Sequence, residues 1–82
     1  MKELQISRHA EKQLSKLPKS EAKKILIKLK ESQYDFSNLD IKKLKGIENS
    51  WRLRIGNYRV IFKIENDFLI VTEIGDRKDI YK

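Results

Sequence analysis

The sequence contains no cysteine and only one histidine, His9, among its 82 residues. Without cysteine there are no disulfides, and a single histidine excludes a Cys/His metal site. There is no apolar run of membrane-spanning length, and the first residues do not form a signal-peptide pattern. We therefore expect a soluble, cytoplasmic chain with one domain over residues 1–82, no membrane partner, and no metal or other cofactor.

Positive charge dominates the composition and is unevenly distributed. Nineteen Lys and Arg against twelve Asp and Glu give a net charge of +7, which favours a polyanionic partner such as nucleic acid, an acidic protein or an anionic membrane surface, and charge alone does not choose among them. Four of the five arginines follow position 50: Arg52, Arg54, Arg59 and Arg77. Guanidinium groups bind phosphate oxygens two at a time, so the C-terminal half is predicted to bind phosphate.

Hydrophobic periodicity predicts two helices in the first half of the chain. Leu4 and Ile6 alternate with polar residues, which is typical of a short strand, and Ser7 is a suitable N-cap for a helix over residues 8–17. Pro18 ends that helix and can open a second one, over residues 18–32. Such a short connection predicts an antiparallel helical hairpin.

The second half has a period of two. Residues 35–50 are predicted to form a loop, and three strands follow, separated by turns at Gly56-Asn57 and Asn66-Asp67. The predicted class is α+β, in the order β-α-α-β-β-β, with the helical hairpin on one face of a mostly antiparallel four-stranded sheet.

The alternation of side chains across a strand predicts where the arginines lie. If Leu53 and Val60 face the helices, then Arg52, Arg54 and Arg59 share the opposite, open face. A polar strand face exposed to solvent is the simpler interpretation. However, three neighbouring guanidinium groups repel one another unless an anion or an acidic partner lies among them.

Three segments carry a resemblance to a known family. Lys43-Leu44-Lys45-Gly46, the stretch from Trp51 to Val60, and the stretch from Ile74 to Tyr81 resemble the RelE/ParE superfamily of type II toxins. The resemblance implies a microbial-RNase-like fold. For the RelE branch it implies ribosome-dependent cleavage of mRNA at the decoding site by 2'-hydroxyl attack. It also implies a cognate antitoxin that binds the toxin in a hetero-oligomer.

The same resemblance suggests roles for individual residues. The implied catalytic set is Arg52, Arg54, Arg59, Arg77 and Tyr81, with Tyr81 stacking on a base. Lys43 and Lys45 match a basic pair that binds RNA, and the helix lysines Lys23 and Lys24 are expected to contact ribosomal RNA.

Two questions remain open at the level of the sequence. Arginine holds its proton too tightly to act as a general base, and Arg54 stands where some relatives carry lysine, so Lys45, Glu73 and Tyr81 are alternative bases. His9 is expected at the surface, away from the arginines. The alternative function is that of a ParE-like DNA gyrase inhibitor, although members of that branch generally lack the complete basic set. A third possibility is a catalytically silent module that binds nucleic acid or the antitoxin.

Overall fold

The computed structural model describes residues 2–37 and 39–76, which form two helices and five strands. Their order is β1 (Glu3–Ile6), α1 (Arg8–Ser15), α2 (Lys19–Ser32), β2 (Asp40–Lys43), β3 (Ser50–Ile55), β4 (Tyr58–Glu65) and β5 (Phe68–Asp76). The strands form one sheet in the order β1-β5-β4-β3-β2, in which only the β1–β5 pair is parallel. The predicted α+β class is confirmed.

The predicted number of strands is wrong, because β2 lies within the segment predicted as a loop. It pairs antiparallel with β3, with Ile41 opposite Leu53, and forms an edge of the sheet. Ile41 is its only apolar residue, so the sequence has no alternation to reveal the strand. Its formation depends on backbone hydrogen bonds to β3.

The helix boundaries follow the capping chemistry. The Ser7 hydroxyl accepts a hydrogen bond from the Ala10 N–H at 3.1 Å and caps α1, as predicted. Helix α1 ends at Ser15, two residues before the predicted end at Leu17. Pro18 precedes α2 in an extended conformation, where its missing N–H costs no helical hydrogen bond.

After α2, the chain turns at Asp35. Its carboxylate accepts hydrogen bonds from the Ser37 hydroxyl at 2.6 Å and from the Ser37 N–H at 2.9 Å. These two bonds stabilise the ionised form and hold the pKa of the Asp35 carboxyl below its ordinary value. Among the described residues, no helix is long and apolar enough to cross a membrane.

The core lies between the helices and one face of the sheet. Helix α1 packs chiefly against β5, and α2 contacts β3. Ala10 from α1 and Ile25 and Leu29 from α2 are fully buried. They share one apolar cluster with the following buried sheet residues: Leu53, Val60, Phe62, Leu69, Val71 and Ile74. Burial of these side chains supplies the main favourable term in folding and determines which sheet face is covered.

Both predicted hairpin turns are present. Gly56 and Asn66 adopt positive φ angles of 57° and 53°, which suit two-residue connections between antiparallel strands. The first turn fixes the register of β3 on β4, so that Leu53 faces Val60 and Arg54 faces Arg59. A change of register by one residue would move every side chain to the other face.

Candidate anion-binding site on the arginine face

Three arginines lie on the sheet face opposite the helices, which we call the arginine face. Arg54 on β3 is directly opposite Arg59 on β4, and Arg52 is opposite Ile61. Their strand neighbours Leu53 and Val60 are fully buried on the other face. The predicted sharing of one face by Arg52, Arg54 and Arg59 is thus confirmed.

Arg59 occupies the centre of this face and is buried. Only 3% of its surface is exposed, although the sequence predicted an open position. It lies on the central strand, between Arg54 on β3 and Gly75 on β5. Its Nη1 donates a hydrogen bond to the neighbouring Tyr58 carbonyl at 3.3 Å, while its buried Nε has no partner within the described residues.

Arg52 is held differently. Its side chain is 16% exposed, and Nη2 lies 3.3 Å from the Asp40 Oδ1 of strand β2. Its Nε is also buried and has no hydrogen-bond partner in residues 2–37 and 39–76. Arg54 is exposed. Within the part of the chain that the structure describes, this face has two buried Nε–H donors without acceptors, and such groups are costly to leave unsatisfied.

Strand β2 changes which lysines belong to this face. Lys42, which sequence reasoning did not single out, lies opposite Arg52. Lys43 lies opposite Trp51 instead, and its Nζ is 5.9 Å from the centroid of the Trp51 ring, within range of a cation–π contact. The alternation that separates Lys42 from Lys43 could be assigned only once the pairing of β2 with β3 was known.

The other predicted RNA-binding residues are scattered. Lys45 belongs to the β2–β3 loop, where residues 43–48 line an open cleft of about 660 Å³. Lys23 and Lys24 are exposed on α2, which covers the other face of the sheet. The structure therefore does not bring the two helix lysines together with the arginines. Arg77 and Tyr81 lie outside the described residues.

An acid and an imidazole meet at the side of the arginine face. Glu73 on β5 is opposite Ile61, the residue that faces Arg52 on the other side. Its Oε1 lies 3.9 Å from the His9 Nε2 on α1, and both side chains are partly exposed, at 43% and 65%. His9 is at the surface as predicted, and the residue it contacts is on β5 rather than on the strands β3 and β4 that carry the three arginines.

The arrangement favours an anion bound against the centre of the sheet. Arg54 and Arg59 are directly opposed cations, with Lys42 and Arg52 in the adjoining row. Gly75, which pairs with Arg59 on the next strand, adds no side chain to this face. Several donors with fixed positions can thus contact one phosphate and its neighbours, which is how arginine recognises phosphodiesters.

The fold and this site together define a small α+β protein with a cationic sheet face suited to a polyanionic ligand. Residues 4–81 match the family described as the ParE toxin of type II toxin–antitoxin system, parDE. The chain therefore belongs to this family of the RelE/ParE superfamily, and its relatives make it a toxin of RelE type.

Individual relatives agree over almost the full chain. Toxin RelE3 of Methanocaldococcus jannaschii is 38% identical over 74 residues, covering 85% of this chain and 84% of the relative. The RelB-RelE antitoxin-toxin complex from Methanococcus jannaschii is 31% identical with a TM-score of 0.75, covering 94% of each chain. The RelE-RelB complex from Pyrococcus horikoshii supports the fold, with a TM-score of 0.79 at 24% identity over 93% of this chain and 94% of that one.

Proposed function

We propose that this toxin is a metal-independent endoribonuclease that cleaves mRNA on the ribosome and so inhibits translation in the cytoplasm. The observation that carries the proposal is the buried Arg59. Its Nε–H has no acceptor among the described residues, and its neighbour across the strands, Arg54, is a second cation. A folded protein retains such a costly group when an external ligand satisfies it. A phosphodiester supplies both the negative charge and the acceptor oxygens.

The proposed reaction needs no protein nucleophile. The ribose 2'-hydroxyl attacks the adjacent phosphorus, the bond to the 5'-oxygen breaks, and a 2',3'-cyclic phosphate and a 5'-hydroxyl remain. Negative charge builds up on the phosphorane oxygens, and each preorganised donor aimed at them contributes about 3 kcal/mol. Arg59 and Arg54 are assigned this role here, together with Arg77, while Arg52 aligns the strand and Tyr81 stacks on a base.

Glu73 is our preferred general base for the 2'-hydroxyl. It shares the arginine face with Arg52 and Arg59, being opposite Ile61 and two residues from Gly75. Diagonal neighbours on adjacent strands are about 7–8 Å apart, so Glu73 and Arg59 can both reach one RNA linkage. Lys45 is on the β2–β3 loop and Tyr81 lies outside the described residues, so neither has comparable geometric support.

The proposed protein partner is an acidic antitoxin that neutralises the toxin in a hetero-oligomer. The net charge of +7 favours such a partner, and two of the similar solved structures are complexes of RelE with RelB. The ribosome and its mRNA are the proposed targets. The proposed RNA contacts are Lys42, Lys43 and Lys45, together with Lys23 and Lys24 on α2.

Inhibition of DNA gyrase is the second candidate, because the matching family model is named after ParE. Inducing the toxin in cells and mapping transcripts by primer extension separates the two functions. Discrete cuts within translated codons, absent after induction of Arg59→Ala, are expected for the nuclease. Intact transcripts accompanied by DNA breaks would reject the nuclease and favour gyrase.

A further inference from the structure

Within residues 2–37 and 39–76, strand β5 has no strand neighbour along part of one edge. Parallel pairing with β1 runs from Glu3 opposite Phe68 to Ile6 opposite Val71, where β1 ends. Beyond this point, helix α1 lies beside β5. The second half of β5 includes Gly75, which is opposite the buried Arg59. Contacts that hold this edge of β5 therefore also position the Gly75 backbone beside Arg59.

Three side chains, one preceding α1 and two on it, contact this part of β5 where β1 no longer pairs with it. The Ser7 hydroxyl donates to the Thr72 carbonyl at 3.3 Å, and His9 lies 3.9 Å from Glu73. The shortest of these contacts is made by Gln13, whose Oε1 accepts a hydrogen bond from the Ile74 N–H at 2.6 Å. Gln13 thus satisfies a backbone donor of β5 that lies beyond the end of its pairing with β1.

The position of this hydrogen bond relates it to the site. Ile74 is buried in the core through its side chain, and the next residue, Gly75, pairs with Arg59. A register irregularity between Ile61 and Phe62 already disturbs the β4–β5 ladder just before this point. A bulged strand bends and loses a regular ladder bond, so an acceptor on the other side of β5 adds a second constraint on its far end, besides its pairing with β4.

From these contacts we infer that Gln13 is a positioning residue for the nuclease site. It fixes the end of β5 against Arg59, and so sets the distance between the Arg59 guanidinium group and the groups that β5 carries, including Glu73. This role rests on the proposed nuclease function. It assigns a task to α1, a helix that contributes none of the arginines of the arginine face.

The test compares Gln13→Met, which keeps the length of the side chain but removes the acceptor, with Gln13→Glu, which keeps an acceptor. Gln33→Met is the matched control, because the Gln33 Nε2 donates a similar bond of 2.9 Å to the Lys2 carbonyl, between the end of α2 and the start of β1. Cleavage of mRNA on programmed ribosomes is measured for each full-length variant, together with its thermal unfolding midpoint.

We expect Gln13→Met to lower kcat by about 10–100-fold with little change in KM, because small displacements of aligned groups are costly. Gln13→Glu should recover kcat to within about threefold, and Gln33→Met should lower the unfolding midpoint without lowering kcat. If Gln13→Met retains the wild-type kcat, or if Gln33→Met loses as much, Gln13 has only a structural role.

A second measurement separates this inference from the proposed function. If the wild-type chain cleaves no RNA, the nuclease proposal fails, and NMR then tests the positioning alone. The Gly75 amide and the Arg59 Nε–H resonances should shift in Gln13→Met and stay unchanged in Gln33→Met. Unchanged resonances in Gln13→Met would overturn the inference whatever the activity.

Discussion

The two faces of the sheet bury different kinds of residue, which alternate along the same strands. On β4, Val60 and Phe62 are fully buried against the helices, and Arg59 between Tyr58 and Val60 is almost as buried on the other face. The apolar residues gain stability from burial. The arginine loses hydration, and its Nε has no acceptor in the described segments. Similar burial therefore stabilises the fold on one face and places a costly guanidinium group on the other, where we propose the ligand site.

The largest expected effect comes from the apolar face. Phe62→Ala should lower the free energy of unfolding by about 3–5 kcal/mol, because it leaves a cavity in the core. The neighbouring Lys63→Ala, on the other face of β4, should change it by less than about 0.5 kcal/mol. Urea unfolding measures both variants. Similar losses of unfolding free energy in the two variants would contradict the idea that stability comes mainly from the face packed against the helices.

Removing the central arginine, Arg59, should lower activity without lowering stability. Arg59→Met is expected to slow RNA cleavage by about 10²–10³-fold, since one preorganised donor is lost. The unfolding midpoint should stay the same or rise, because a buried charge with no ion pair among the described residues is replaced by an apolar side chain. Single-turnover cleavage and thermal unfolding provide the two readouts.

Arg8→Gln is the control for that experiment, because Arg8 is an exposed arginine on α1. It should cleave at close to the wild-type rate. A large fall in the stability of Arg59→Met, with cleavage reduced only in proportion to the folded fraction, would make Arg59 a structural residue.

A smaller effect is expected for the proposed base. Glu73→Gln should reduce the cleavage rate by about 10²-fold, within the range of general acid–base catalysis, while ribosome binding changes little. Glu65→Gln is the control, because Glu65 is another carboxylate in the sheet, 3.1 Å from the Lys63 Nζ. Equal rates for the wild type and Glu73→Gln would exclude Glu73 and leave Lys45 and Tyr81 as candidates.

The smallest expected effect is on the salt dependence of RNA binding, and it distinguishes a lysine of the sheet from a lysine of the helices. If Lys42 contacts a phosphate beside Arg52, then Lys42→Ala should reduce the slope of log affinity against log salt by about one. Lys12→Ala, on the exposed side of α1, should leave this slope unchanged. Titration of RNA at several salt concentrations checks both, and equal slopes for the two variants would remove Lys42 from the site.

Much of the fold followed from local patterns. The Ser7 cap, the break at Pro18 and the turns at Gly56-Asn57 and Asn66-Asp67 were predictable because each depends on the chemistry of a few adjacent residues. Strand β2 was not predictable, because a short edge strand with one apolar residue exists only through its pairing with β3.

The site was predictable in part for the same reason. Alternation placed Arg52, Arg54 and Arg59 on one face once the apolar residues had chosen the other. The burial of Arg59, the presence of Lys42 in the Arg52 row and the contact of Gln13 with Ile74 were beyond reach. Each depends on elements that are distant in the chain.

The amino-acid order alone determined which residues alternate, where the helices begin and where the strands turn, because these features arise from steric and hydrogen-bonding preferences within a few residues. Only the tertiary structure decided that Lys42 joins the row of Arg52, which of the cations are buried, and which α1 residues border β5. Those features depend on strand order and register, and these are set by the packing of the whole core.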